Sequence, residues 1–225
     1  ACRTQVQTNT ENWEKITRKI GRWVDFENDY KTMDIDFMES VWWVFKELWE
    51  KDLIYQDYKV LPYSWAASTP LSNFEANMDY RDVEDPSIYF TLDAREDFNS
   101  VQKGDKFLVW TTTPWCIPGN LAIAIGKDIE YSRVSMNDKF YWIASQRLEE
   151  LEEFKVEIIS SCIGNELIGT SYIPAYSEYE NLYSDGAFRL IHSDDTNTDS
   201  GSGLVSQAPA YGESDFYSLK NAGIT

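Results

Sequence analysis

The sequence predicts an α+β fold in which a short helical segment precedes a strand-rich body with helices at its periphery. Two observations carry that prediction. Apolar residues recur at helical spacing as far as about residue 50, and beyond Pro62 and Pro70 they alternate at the period of extended strands. A third observation sets the scale. Hydrophobic residues make up 43% of the 225, with 9 Trp, 14 Tyr and 11 Phe, enough apolar surface for the core of one main domain with an appendage.

Taken in order, Thr8 with Glu11 three residues on resembles a capping box, Trp13, Ile16 and Ile20 follow at helical spacing, and Gly21 is placed to stop the helix. A second helix is expected from about Asp36. Glu39 stands three residues on, and Phe37, Met38, Val41, Trp42, Phe45, Leu48 and Trp49 form one broad apolar stripe. Such a stripe is more often core than a binding face, but on a piece of a larger protein it is also how a face without its partner reads. Strands are expected at 88–92, 106–111, 121–125, 129–134 and 139–144, then a helix over SQRLEELEEF at 145–154. KVEIIS and AFRLI supply further strands on either side of an acidic loop around 177–186, and DDTNTDSGS at 194–202 reads as an exposed loop. The last helix starts at Glu213 with Asp215 in its first turn, where the helix dipole favours a carboxylate. The pattern thus divides into residues 1–74, helical, and 75–225, strand-rich.

Composition excludes several function classes. No apolar run approaches the roughly 20 residues that cross a bilayer, and residue 1 onward lacks the basic start and apolar core of a signal peptide. A soluble, cytoplasmic protein without membrane contact is expected. Cys2, Cys116 and Cys162 are odd in number and form no CxxC pair, so neither a disulfide framework nor a metal site is predicted, and no cofactor is called for. A net charge of −18 repels a phosphate backbone over most of the surface, which leaves only local contact with a nucleic acid. With His192 as the single histidine, a Ser/His/Asp triad would have to run through it, and no candidate serine lies in a nucleophile elbow.

The most specific segment is Trp110-Thr111-Thr112-Thr113-Pro114-Trp115-Cys116-Ile117-Pro118-Gly119-Asn120. Three threonines leaving a strand into a double-proline turn present hydroxyls and freed amides at one end of a sheet, which suits a polar ligand. On that argument alone, a strand end satisfying its own turn is the commoner arrangement. A second segment lies far away, at Gly201-Ser202-Gly203-Leu204-Val205-Ser206-Gln207-Ala208-Pro209-Ala210-Tyr211-Gly212-Glu213-Ser214-Asp215-Phe216.

The first segment resembles the WTTTPWTLPSN signature of the editing domain of isoleucyl-tRNA synthetases, and the second resembles that family's GTGVVHxAPxxGxxD(F/Y) segment. The leucyl and valyl relatives carry Arg in place of the third Thr and an acidic residue in place of the Trp, so Thr113 and Trp115 point to the isoleucyl branch. GRWVDFENDYKTMD at 21–34, FMESVWWVFKELWEKDLIY at 37–55, PYSWAASTPLSNFEAN at 62–77 and YRDVEDPSIYF at 80–90 are similar to the cytosolic eukaryotic type. Leu167-Ile168-Gly169-Thr170-Ser171-Tyr172-Ile173-Pro174-Ala175-Tyr176 resembles the family's LxGxxYxPxF segment and reads as structural. The resemblance implies a barrel-like editing domain over 75–225, preceded at 1–74 by a piece of the synthetic domain. It implies hydrolysis of valine wrongly esterified to the isoleucine tRNA, with the tRNA 3′ end and the rest of the parent synthetase as partners. Asp215 is implied to hold the ammonium group and, with Thr112 and Thr113, to form the catalytic set. Thr111 and Asn120 help to hold the adenosine and aminoacyl group, and Trp115, Cys116 and Ser206 complete the substrate-binding positions. Neither the HxGH motif, which needs two histidines, nor KMSKS is present, so this chain is not expected to aminoacylate.

Three positions depart from the pattern. Cys116 stands where Thr is usual, Gly119 where Ser or Ala is usual, and Ser206 where the isoleucyl type has His. The leucyl and valyl relatives have Met and Lys at the last position, so an imidazole base is not general to the reaction, and Ser206 bears on specificity more than on hydrolysis. Two other readings stand beside editing. One is a degenerate insertion that holds the tRNA end or supports the synthetic domain without catalysis, and the other is an acidic protein-interaction domain.

Overall fold

The computed structural model describes residues 2–78, 80–84 and 86–224, and packing divides them into one unit up to Tyr58 and a larger one from Lys59 onward. The first unit contains α1 (Cys2–Gln7), α2 (Thr10–Lys19) and α3 (Ile35–Glu50). The capping box expected at Thr8 is not formed. Thr8 closes α1 and its hydroxyl donates back to the Thr4 carbonyl at 2.9 Å, a local bond that competes with capping, so α2 starts behind Asn9 without a side-chain cap. Likewise α3 starts at Ile35 behind Asp34, whose carboxylate accepts from the Lys31 backbone N–H instead. The apolar stripe of α3 is exposed, Trp42 at 68% and Trp49 at 60%, and no described residue of this unit is buried. A capping box does occur in the second unit, at Ser72 and Glu75 on α4 (Asn73–Ala76), just after the short hairpin of β1 (Tyr63–Ser64) and β2 (Thr69–Pro70).

The body of the second unit is a sheet of β3 (Ile88–Asp93), β4 (Lys106–Thr111), β5 (Ala122–Ile125), β6 (Glu130–Met136), β7 (Lys139–Ala144), β8 (Glu157–Ile163), β9 (Arg189–His192) and β10 (Val205–Gln207). The order is β8-β6-β7-β4-β10-β5-β9, with β3 paired to β4, and the sheet curls into a half-barrel. α5 (Glu213–Asn221) follows β10. The strand positions expected from alternation are thus met within a few residues. Two elements differ. Residues 145–154 form a tight 3-10 turn over Ser145–Leu151 broken at Arg147, and the acidic stretch expected as a loop is 3-10 helix over Ser177–Asp185.

β4 shapes the sheet because a strand has only two edges. One edge pairs with β3 along its whole length, while the other pairs with β7 at Lys106 and Phe107 and with β10 at Trp110. β7 and β10 therefore part from each other at the C-terminal end of β4. The segment before β10 is wedged into that parting: Trp110 N–H donates to the Leu204 carbonyl at 3.1 Å and Ala144 N–H to the Ser202 carbonyl at 2.9 Å. Space is so short there that a Cβ on Gly201 would lie 2.5 Å from the Trp110 ring and one on Gly203 2.5 Å from the Ala144 methyl, and both glycines have positive φ. Gly201 and Ser202 are consequently buried, not part of the exposed loop that composition suggests.

Alternation along the strands fills two cores. Phe107, Val109, Trp142 and Ala144 point to the larger one with Tyr131, Tyr172 and Phe188, while Leu108, Ile143, Val134 and Leu151 pack on the opposite face. At the start of β4 the buried Asp105 ties three strands together. It accepts from Arg133 Nε and Nη2 at 2.8 and 2.7 Å, from Trp142 Nε1 at 3.0 Å and from the Gln102 backbone N–H at 3.0 Å. Asp105 is 2% and Arg133 6% exposed, so the pair survives burial only because its remaining hydrogen-bonding capacity is met by neighbours. Asp105→Ala leaves the buried guanidinium without its counter-charge, with only Gln102 Oε1 still accepting from it, and leaves the indole N–H buried without an acceptor. A loss of about 3–5 kcal/mol in the free energy of urea unfolding is expected; a loss below about 1 kcal/mol, the level of an exposed pair, would contradict this account of the tie.

Candidate functional site

β4 ends in the threonine run, and Pro114 then starts a 3-10 turn over Pro114–Gly119, its ring preset for the first helical position. The three hydroxyls have different fates. Thr111, buried, accepts the Thr113 backbone N–H at 3.1 Å and lies 3.3 Å from the Thr113 hydroxyl, so these two serve the turn in the way a Thr-rich strand end commonly does. Thr112 is exposed, and among the described residues its hydroxyl has no protein partner.

Opposite the run, β10 delivers Val205 and Ser206 and the chain turns at Ala208 into α5. The Ala208 carbonyl accepts the Tyr211 N–H at 3.0 Å, and the Ala208 N–H donates to Asp215 Oδ2 at 2.8 Å. Asp215 thus folds back over the start of α5 and is half-buried. Burial pushes its carboxyl above the ordinary 3.8, against the pull of the Ala208 N–H and the Ser214 side chain, and Asp195 adds a repulsive charge.

Between these elements lies a cleft of about 280 Å³ lined by Trp110, Thr111, Thr112, Thr113, Cys116, Val205, Ser206, Ala208, Tyr211, Gly212 and Asp215. Six of the eight positions singled out in the sequence, from two segments about 90 residues apart, therefore line one cavity: the three threonines, Cys116, Ser206 and Asp215. Trp115 and Asn120 do not line it. Trp115 is 60% exposed on the turn, while Asn120 is buried and fully engaged. Its amide donates to the Ala122 carbonyl at 2.8 Å and to Ser206 Oγ at 3.0 Å, and its carbonyl accepts the Tyr172 hydroxyl at 2.6 Å. The small segment read as structural thereby reaches the site, since Tyr172 braces Asn120 and Asn120 braces the Ser206 wall. Trp110, Val205, Ala208, Tyr211 and Gly212 are further wall residues outside the predicted set, and of these Trp110 and Val205 directly adjoin a predicted position. His192 lies elsewhere, on β9, with Nε2 2.9 Å from Asp194. Among the described residues no group of three or more His, Cys, Asp and Glu is placed to hold a metal ion, and no helix is long and apolar enough to cross a membrane.

Residues 1–198 match the family model described as tRNA synthetases class I (I, L, M and V). The chain belongs to the class I tRNA synthetases. All of it aligns at 45% identity with the isoleucine-tRNA ligase of Bdellovibrio bacteriovorus and at 39% with the cytoplasmic isoleucine-tRNA ligase of Saccharomyces cerevisiae, and it spans 21% of the length of each. The probable cytoplasmic isoleucine-tRNA ligase of Dictyostelium discoideum is 41% identical over 96% of the chain and 20% of its own length. A solved structure, the editing domain of the cytosolic leucyl-tRNA synthetase of P. knowlesi, superposes on 64% of the chain and 66% of its own length, with a TM-score of 0.47 and 14% identity.

Within this class I synthetase chain the half-buried Asp215 costs stability when ionised. Its pKa is raised on folding, so the folded state holds the proton more tightly than the unfolded chain, and stability falls as pH rises through the window above 3.8. An uncharged isostere escapes that cost. Asp215→Asn is expected to unfold at higher urea than the parent at pH 7, with the difference closing as pH falls below 3.8, where the carboxyl too becomes neutral. A parent more stable than the variant at pH 7 would show that the protein alone already stabilises the charge.

Proposed function

We propose that the cleft takes the aminoacylated 3′ end of a tRNA and hydrolyses the ester, its substrate being valine wrongly carried by the isoleucine tRNA. The observation that supports this best is the pairing in one cavity of a desolvated carboxylate, Asp215, with the hydroxyl of Thr112, which no neighbour engages. An aminoacyl ester offers the complement: an ammonium for the carboxylate and oxygens for the hydroxyl. The cation relieves the cost of the buried charge through a charge-assisted hydrogen bond that a hydroxy acid or an acetylated amine does not make.

Hydrolysis then needs a water in line with the carbonyl carbon and donors where the oxyanion develops. The water oxygen bonds to that carbon, the bond to the ribose oxygen breaks, and the ribose oxygen takes the proton. Thr112, Thr113 and the amides of the turn supply donors, and a hydroxyl of the terminal ribose helps to hold the water. Neither a side-chain base nor a metal is required for this step. Thr111 and Asn120 act by bracing, one inside the turn and the other behind Ser206. The net charge of −18 confines the RNA contact to the single-stranded end. Residues 1–74 on this reading belong to the synthetic body, residues 75–225 to the inserted editing domain, and the exposed stripe of α3 to the seam with the remainder of the parent enzyme. The names of the yeast and Dictyostelium relatives support the cytoplasm as the place of action.

Incubation of the chain with valyl-tRNA(Ile) is expected to release valine faster than the uncatalysed ester, and Asp215→Asn is expected to weaken substrate binding by about 1.5–3 kcal/mol, the worth of a hydrogen bond to a charged group. Binding of the tRNA end without turnover would make the chain a non-catalytic holder. Turnover undiminished in Asp215→Asn would remove the role given to that residue.

A further inference from the structure

The cleft has a wall that neither the threonine run nor Asp215 supplies. Tyr211 lines it and packs against the turn after β4, where the ring is so close that a Cβ on Gly119 would lie 2.7 Å from its Cε2 carbon. Gly119 is one of the positions at which the sequence departs from its family, and the contact explains the need for a residue without a side chain. The backbone of Tyr211 is fixed as well. Its N–H donates to the Ala208 carbonyl, and Ala208 N–H is held by Asp215, so ring and carboxylate are mounted on the same residue. Ser206, on the neighbouring wall, is small and has its hydroxyl held by Asn120, so the bulk on this side of the cleft comes from Tyr211.

We infer that Tyr211, seated on Gly119, is a specificity-determining residue: its ring sets how large an amino acid side chain the cleft admits beside Asp215. The inference rests on the reading of the cleft as an aminoacyl site and adds to it the part that measures size. Tyr211 remains 59% exposed, so the ring has room to shift when its seat on Gly119 changes. Removing the ring opens the wall. Adding a methyl at Gly119 displaces it, with the same consequence by a different route.

The test uses non-hydrolysable adenosine analogues carrying alanine, valine or isoleucine, titrated calorimetrically into the chain. Wild type is expected to bind the valyl analogue more tightly than the isoleucyl one. Tyr211→Ala is expected to shift the isoleucyl-to-valyl affinity ratio in favour of isoleucine by about fourfold or more, the factor that burial of one methylene supplies. Tyr211→Phe, which keeps the ring, retains the wild-type ratio. Gly119→Ala shifts the ratio in the same direction, and adding it to Tyr211→Ala shifts it no further, a non-additivity that a merely destabilised loop does not produce. A ratio unchanged in Tyr211→Ala, with all three analogues still bound, overturns the role of Tyr211 alone. Failure of wild type to bind any analogue overturns the aminoacyl reading and the inference with it.

Discussion

A strand has two edges, and β4 gives one of them to two partners. β3 occupies the first edge throughout, and β7 and β10 divide the second, so these two strands diverge at the C-terminal end of β4. Both the curl of the sheet and the position of the cleft follow from that division. The threonine run is simply what β4 becomes where it loses its neighbours, and its backbone groups must find other partners there. The closeness of the wedge at Gly201 and Gly203 shows how little freedom the divergence has. Asp105, with Arg133 and Trp142, fastens the other end of β4, so the strand is held at its start by a buried polar cluster and parts its neighbours at its finish.

From this constraint the site is assembled by a short series of bonds. Tyr172 holds Asn120, Asn120 holds Ser206, and Asp215 holds Ala208, which in turn holds the backbone of Tyr211. Each bond joins a segment of the second unit to the next, so β10 and the start of α5 are set against the turn that follows β4. The outcome is a cleft whose polar groups are mostly engaged with one another. Among the groups left for a ligand are the hydroxyl of Thr112 and a carboxylate that burial makes costly to ionise. A site with few open groups, each at a defined place, discriminates by what the ligand must bring.

Much of this was legible in the sequence because the signals were local or dense. Alternation located the strands, since each has one face on a core, and Asp215 in the first turn of the last helix was readable from helix-start chemistry. The threonine run and the segment ending at Asp215 could be named as partners only through resemblance, because no physical rule ties two segments 90 residues apart. What stayed hidden was non-local. Nothing about Asp105 in a charged stretch tells that Arg133 and Trp142 will surround it, and Asn120 looked like a ligand contact until its three bonds accounted for the whole amide. Thr8 failed as a cap because a preceding turn of helix, invisible to a four-residue motif, engaged its hydroxyl. Gly119 read as a departure from a pattern, while in the fold it is the seat of Tyr211.

The central claim is that the half-buried carboxylate of Asp215 awaits a cation, and the ammonium group of an aminoacyl ester is the group that meets it. The direct measurement is a calorimetric comparison of two ligands for the unaltered chain: a non-hydrolysable valyl-adenosine analogue and the same molecule with hydrogen in place of the ammonium. Loss of the charge-assisted bond predicts that the second binds roughly 10- to 150-fold more weakly, the equivalent of about 1.5–3 kcal/mol. Equal affinity for the two would contradict the account.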